Sequence, residues 1–216
     1  MCIRDRHLVE MGLHSNAKKE SRVFYFTTCG WMMWNWLVSG LLLKSIIYLY
    51  DGSPFYPNSE VLWNFVDNEK INFMGVSAKY IDALSKENIN IIDTYKLKNL
   101  ETIGSTGSPL IHESFDYIYA NIKKDVSVAS LSGGTDIVGC FIGGNPMSVV
   151  RRGEIQGPIL GMDVHVYDEN ANSLKNEKGE LVCIKSFPSM PLFFWNDKND
   201  EKYHDAYFNK YENVWC

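Results

Sequence analysis

Val126-Ser-Val-Ala-Ser-Leu-Ser-Gly-Gly-Thr-Asp136 is the stretch whose reading decides the fold. Apolar and small polar residues alternate, as in a short strand, and the pattern stops at two glycines that permit a tight turn. A hydroxyl, Thr135, and a carboxylate, Asp136, follow at once. Leu100-Glu-Thr-Ile-Gly-Ser-Thr-Gly-Ser-Pro109 has the same build. In an open parallel sheet, ligands bind outside the carboxyl ends of the strands. Two such ends would set backbone donors and hydroxyls side by side, as a nucleotide or acyl phosphate requires. The plainer reading is that both glycine turns only reverse the chain. No Gly-x4-Gly-Lys-Ser/Thr occurs, so this is not a P-loop of the usual type.

Outward from that stretch the chain alternates strands and helices. Val23–Phe26 reads as a buried strand, Trp31–Lys44 as a buried helix, and Ser45–Tyr50 as the next strand. Asp51-Gly-Ser-Pro54 is a turn. Asn58-Ser-Glu60 can cap a helix over Val61–Asn68. Asn72–Val76 is a strand, and Ser77 can cap a helix over Ala78–Lys86. Strand Leu100–Ile103 and helix Ile111–Lys123 lead back to the opening stretch. This is βαβ order, giving an α/β fold with a mostly parallel sheet.

After Asp136 the texture changes. Met162–Tyr167 and Glu180–Ile184 alternate, with turn signals between them, as in a small antiparallel barrel or sheet packed on the first part. The expected division is an α/β subdomain over 7–140 and an antiparallel β subdomain over 141–216. His7–Asn16 reads as the last turns of a helix. Met1-Cys-Ile-Arg-Asp-Arg6 matches nothing that follows and reads as a junction or assembly scar.

The bulk numbers exclude several classes. At 45% hydrophobic and 22% charged residues the chain is globular rather than disordered. Its net charge of -5 disfavours nucleic acid as a partner. No charge occurs from Val23 to Leu43, yet Thr27, Thr28, Gly30, Asn35, Ser39 and Gly40 interrupt the run, so a sheet buried on both sides is expected rather than a membrane span. The five cysteines are far apart and form no metal-ligand spacing, which suits a reducing, cytoplasmic setting without disulfides or zinc. No signal peptide is visible. Trp31, Trp34 and Trp36 are core residues or the wall of a substrate pocket.

Five motifs in combination carry a resemblance: Thr28-Cys-Gly-Trp-Met-Met-Trp-Asn-Trp36, Tyr50-Asp-Gly-Ser-Pro54, Gly104-Ser-Thr-Gly-Ser-Pro109, Ser132-Gly-Gly-Thr-Asp136 and Gly153-Glu-Ile-Gln156. From His7 to Cys216 the chain resembles the adenylate-forming acyl-CoA synthetase superfamily, on the side that activates acetoacetate. The resemblance implies a ligase working in two half-reactions. Acetoacetate attacks the α-phosphorus of ATP, and the thiol of CoA then displaces AMP from the acyl-adenylate.

Further expectations follow from the motif matches. Gly107, Ser108 and Pro109 match the loop lining the adenine; acetyl-CoA synthetases carry Gly-Glu-Pro there, so that Glu has no counterpart. Ser132, Gly133, Gly134 and Thr135 match the ATP/AMP loop, with Thr135 at the α-phosphate. Asp136 matches a position, usually Glu, that approaches Mg²⁺; being one methylene shorter, Asp136 would reach it through water. Thr135 and Asp136 are the implied catalytic pair. Trp31, Met32, Met33, Thr106 and Gly133 would line the acyl pocket, where Gly133 replaces a Trp of acetyl-CoA synthetase and leaves room for a longer acid. Asn35 and Trp34 are the candidate donors to the second carbonyl. Ser77 and Lys79 would border the CoA channel.

Other short acids (propionate, butyrate or acetate) with the same chemistry, and a non-catalytic relic of the fold, remain as alternatives. The superfamily's pyrophosphate loop with its Lys, the Asp holding the ribose, and the late catalytic Lys have no match here, so an internal fragment is expected. The 216-residue chain by itself should form no AMP from ATP and acetoacetate, which a coupled AMP assay on the purified chain checks.

Overall fold

Alternation along each strand decides what covers the sheet. In this computed structural model, which describes residues 2–216, helix α1 (Ile3–Val9) runs into a π turn over Glu10–His14 and precedes the sheet. Five strands then line up: β1 (Arg22–Tyr25), β2 (Ile46–Tyr48), β3 (Phe73–Ser77), β4 (Thr102–Thr106) and β5 (Ser127–Ser130). Their order is β2-β1-β3-β4-β5, and every neighbouring pair is parallel. Helices α2 (Met32–Val38), α3 (Val61–Asn68), α4 (Ala78–Lys86) and α5 (His112–Tyr117) connect them.

Phe24, Met74, Val76, Ile103 and Val128 face α3, α4 and α5, whose Trp63, Ile81, Leu84 and Phe115 complete one core. Val23, Tyr25 and Phe73 point the other way and pack on Met33, Trp36 and Leu37 of α2 and on Met11. The sheet is thus covered on both faces, which accounts for the uncharged run. No helix among the described residues is long and apolar enough to cross a membrane.

One row across the sheet is nearly bare. Tyr25 pairs with Gly75, Gly75 with Gly104, and Gly104 with Ala129. The Tyr25 ring occupies the space a Cβ on Gly75 would need, and the Phe73 ring lies 2.6 Å from where a Cβ on Gly104 would sit. The two aromatic rings come close against the sheet because Gly75 and Gly104 have no side chains to hold them off.

Capping follows the sequence closely at Ser77, whose hydroxyl accepts the Tyr80 N–H at 3.2 Å. Before α3 the cap takes another form: Asn58 Oδ1 accepts the Glu60 N–H at 3.0 Å in a turn, and Glu60 itself contributes no side-chain cap. Two expected helices end early. The Trp31–Lys44 helix is α2 followed by a 3-10 turn over Ser39–Leu43, with Lys44 at φ 58. Gly40 is the weak point, held close to Met11 and Ile47. The Ile111–Lys123 helix is α5 followed by a π turn over Ile118–Ile122.

The opening stretch differs most from expectation. Strand β5 ends at Ser130, and Ser132–Gly134 is not a turn but a second strand, β6, antiparallel to β7 (Gly139–Gly143), which pairs with β8 (Gly157–Pro158). Antiparallel pairing therefore begins at Ser132, before the expected 141. The glycines serve close approach: a Cβ on Gly133 would overlap Gly139 O and stand 2.5 Å from Cys140 Cα. β9 (Val164–Tyr167) and β10 (Glu180–Cys183) form a separate antiparallel pair, so this part is two small sheets. Helix α6 (Glu201–Tyr207), which no periodicity announces, packs Tyr207 on Trp215 with ring centroids 3.7 Å apart.

The N-terminal segment is tied to this second part. Arg6, inside the stretch read as a junction, is buried and donates to Leu160 O at 2.6 Å and Cys140 O at 2.7 Å. His14 Nδ1 lies 2.7 Å from Gly144 O, and its Nε2 accepts the Leu160 N–H at 3.0 Å. A ring that donates at Nδ1 and accepts at Nε2 is neutral. Burial, first, holds its pKa below the usual imidazole range, and His7 is lowered for the same reason. The unfolded chain therefore takes up these protons first as pH falls, and the stability contributed by the neutral rings is lost on that path. The urea midpoint is expected to drop between about pH 7 and pH 5, and less steeply in His14→Gln, as measured by denaturation at each pH.

Candidate functional site

Three elements converge at the carboxyl ends of β4 and β5 and enclose a cavity of about 340 Å³. From β4 come Thr106 and the loop Gly107-Ser-Pro109; from β5 and β6 come Ser130–Thr135; from the start of α2 come Trp31, Met32 and Met33. Every residue assigned by motif to the adenine loop, the ATP/AMP loop and the acyl pocket lines this one space, whereas Asp136, assigned to the metal, does not. Ser130, Leu131, Cys140 and Ile155 complete it. Ser130 and Leu131 lie inside the opening stretch, and Ile155 inside the Gly153–Gln156 motif, so the sequence carried a signal for them. Cys140 had none.

Local chemistry explains the shape. Gly107 sits at φ +88, a left-handed conformation that glycine adopts without strain, and this turns the loop across the strand end. The Trp31 indole would lie 3.6 Å from a Cβ at that position, so the indole borders the loop closely. Thr106 Oγ1 donates to Leu131 O at 2.8 Å and locks the end of β4 to the chain leaving β5. Met33 is buried, whereas Trp31 and Met32 are half-buried. Burial, reinforced by the Glu10 charge, pushes the Cys140 thiol well above its usual range. Gln156 staples the neighbouring loop, accepting from Asn145 N at 3.0 Å and donating to Asn145 O at 2.8 Å and Ser148 O at 2.9 Å.

Other sequence-derived residues fall elsewhere. Asp136 is exposed in the turn after β6, with its Oδ1 lying over Gly134 where a Cβ would otherwise sit. The Tyr207 phenol is raised by burial and then by this carboxylate, which puts α6 beside Asp136. Ser77 is engaged as the cap of α4, and Lys79 is exposed in the first turn of that helix; neither lines the cavity. Trp34 and Asn35 do not reach it either. The helical turn carries them to a groove shared with Ile3, His7 and Leu42, so they are not donors in the cavity.

Gly133 does not act as an open space left by a missing indole. A Cβ there would point at β7 and overlap the Gly139 carbonyl oxygen, so the pairing seen here leaves no room for a side chain.

A doubly covered parallel sheet, glycine- and hydroxyl-bearing loops at two adjacent strand ends, and small antiparallel sheets beyond them match the class of adenylate-forming acyl-CoA synthetases. No protein-family model matches the chain. Acetoacetyl-coenzyme A synthetase of Rhizobium meliloti (strain 1021) is 52% identical to it over 211 residues, 98% of this chain and 32% of that protein. The Gallus gallus acetoacetyl-CoA synthetase is 45% identical over the same shares. The structure of acetoacetyl-CoA synthetase from Streptomyces lividans aligns with a TM-score of 0.91 at 40% identity, covering 99% of this chain and 34% of that one. Over nearly all its residues the chain thus matches acetoacetyl-CoA synthetases in sequence and fold, and it spans about a third of their length.

Gly133→Ala should separate β6 from β7 and lower the free energy of unfolding by about 1–3 kcal/mol, read from the urea midpoint.

Proposed function

We propose that this chain carries the acyl- and adenylate-binding cavity of an ATP-dependent acid–thiol ligase that activates acetoacetate and passes it to CoA. The observation that carries the reading is the convergence in one cavity of loops far apart in sequence, each matching the same family motif set. The pyrophosphate loop, the ribose-binding Asp and the late catalytic Lys are supplied, in this reading, by sequence outside these 216 residues. A cytosolic setting accords with five unpaired cysteines.

The chemistry asks mainly for positioning and for stabilising charge on phosphate oxygens. The Gly107–Pro109 loop borders the adenine, and Trp31 stands against that loop as part of the acyl wall. Ser132–Thr135 present backbone and hydroxyl groups to the α-phosphate, with the Thr135 hydroxyl exposed on the mouth of the cavity. Met32, Met33, Cys140 and Ile155 make the acyl side apolar and exclude water from the mixed anhydride. Ser77 and Lys79 border the path of CoA outside the cavity.

Mg²⁺ accords with the donors present. Among the described residues no cluster of three or more His, Cys, Asp or Glu could cage a metal. One exposed carboxylate, Asp136, stands next to the Thr135 hydroxyl. A single carboxylate, completed by water and substrate phosphates, is the usual way Mg²⁺ is held. When bound, the ion neutralises phosphate charge.

The test is acid-dependent pyrophosphate release by the polypeptide that continues through the DNA flanking this reading frame. Acetoacetate should outperform propionate, butyrate and acetate; preference for one of those acids would change the substrate, and absence of release with every acid would favour the non-catalytic relic. In that polypeptide Thr135→Ala is expected to lower kcat about 100-fold, as loss of one preorganised donor does.

A further inference from the structure

Glu10 opens the π turn after α1 and is 3% exposed. The ligase reading gives it no part. Its Oε1 accepts the Cys140 N–H at 2.9 Å, and its Oε2 accepts the Trp36 indole N–H at 3.1 Å. Cys140 belongs to the cavity wall and pairs with Gly133 across β6 and β7. Trp36 lies three residues beyond Met33, on the same buried face of α2, and Met33 lines the cavity. One carboxylate therefore holds an element from each of two walls. Gly139 leaves room for it, since a Cβ there would stand 2.7 Å from Oε1. Arg6 Nε, 3.0 Å from Oε1, balances the charge.

A buried carboxylate is costly unless donors replace its water. Apolar contacts alone already attach α2 to the sheet, so this carboxylate adds direction rather than adhesion. Resting on the reading of the cavity as an acyl site, we infer that Glu10 is a positioning residue that fixes the spacing of α2 and β7 and thereby the length of acid the cavity accepts.

Glu10→Gln keeps the size of the side chain but leaves one amide oxygen for two N–H donors and turns an NH₂ on the other. In the full polypeptide the KM for acetoacetate should rise about tenfold while the KM for ATP stays within about twofold, and preference over longer straight-chain acids should narrow. Trp36→Phe removes the indole donor together with the five-membered ring that carries it, so it should shift the same constants, with an unchanged Cys183 labelling rate marking that the smaller ring has not loosened the core, and the two changes together should be less than additive. A readout independent of activity is thiol labelling with a small methanethiosulfonate, resolved by mass spectrometry. Cys140 should label about tenfold faster in Glu10→Gln, with the rate of the equally buried Cys183 unchanged.

Unchanged acid KM, acid preference and Cys140 labelling would overturn the inference. So would a parallel shift of all kinetic constants together with faster Cys183 labelling, which marks general loosening. If Glu10→Gln is recovered unfolded, Trp36→Phe decides. If the unaltered polypeptide releases no acid-dependent pyrophosphate, the ligase reading fails, and labelling still decides the clamp.

Discussion

A sheet can carry large aromatic rings close against its face only where the strands beneath are bare. Gly75 and Gly104, between Tyr25 and Ala129 in one row, meet that condition, and much else depends on it. The Tyr25 ring lies across Gly75, and the Phe73 ring reaches over Gly104. Trp36 packs on Phe73 with centroids 5.3 Å apart, and Trp31 meets Tyr25 edge-on at 6.0 Å. These contacts seat α2 low on the sheet and bring its first turn level with the ends of β4 and β5. A side chain at either glycine would raise the rings, tilt α2 away and open the cavity from below, because packed interiors transmit such displacements.

The cavity is thus a product of two independent restrictions on side-chain size. One is the bare pair Gly75 and Gly104, which sets the height of α2. The other is Gly133 and Gly139, which let β6, β7 and the Glu10 carboxylate approach closely. Between them Thr106 bonds the chain leaving β5, so the two nucleotide-type loops are held to each other rather than resting on separate supports. Loops fixed in this way need little reorganisation when a ligand arrives, which is what preorganised charge stabilisation demands.

Much of this was legible in the sequence. Alternating apolar runs and helical segments gave the order of β1 to β5 and α2 to α5, because strands covered on both faces leave long uncharged stretches. The glycine-punctuated strand ends gave the cavity. Legibility failed where a residue answers to a distant partner. Gly133 and Gly134 looked like a turn because glycine signals permissive backbone, and nothing local revealed that β7 would lie against them. Cys140 was silent because its role is set by pairing with Gly133. Trp34 and Asn35 were misplaced because a helix carries neighbours in sequence to different faces. Arg6 sat in a stretch that looked foreign, yet its guanidinium is buried against Cys140 and Leu160. Past Ile184 the aromatic packing of α6 on Trp215 left no periodic trace.

The Cys140 thiol has one more consequence. An acyl-adenylate is an electrophile, and the reaction proposed here ends with a sulfur attacking it. A cavity wall that itself contains sulfur invites the wrong thiol to react. Only the thiolate is an effective nucleophile. Burial and the adjacent Glu10 charge keep Cys140 protonated. The cavity can therefore shelter an activated acyl group beside its own cysteine and leave the acyl transfer to the thiol that enters from outside.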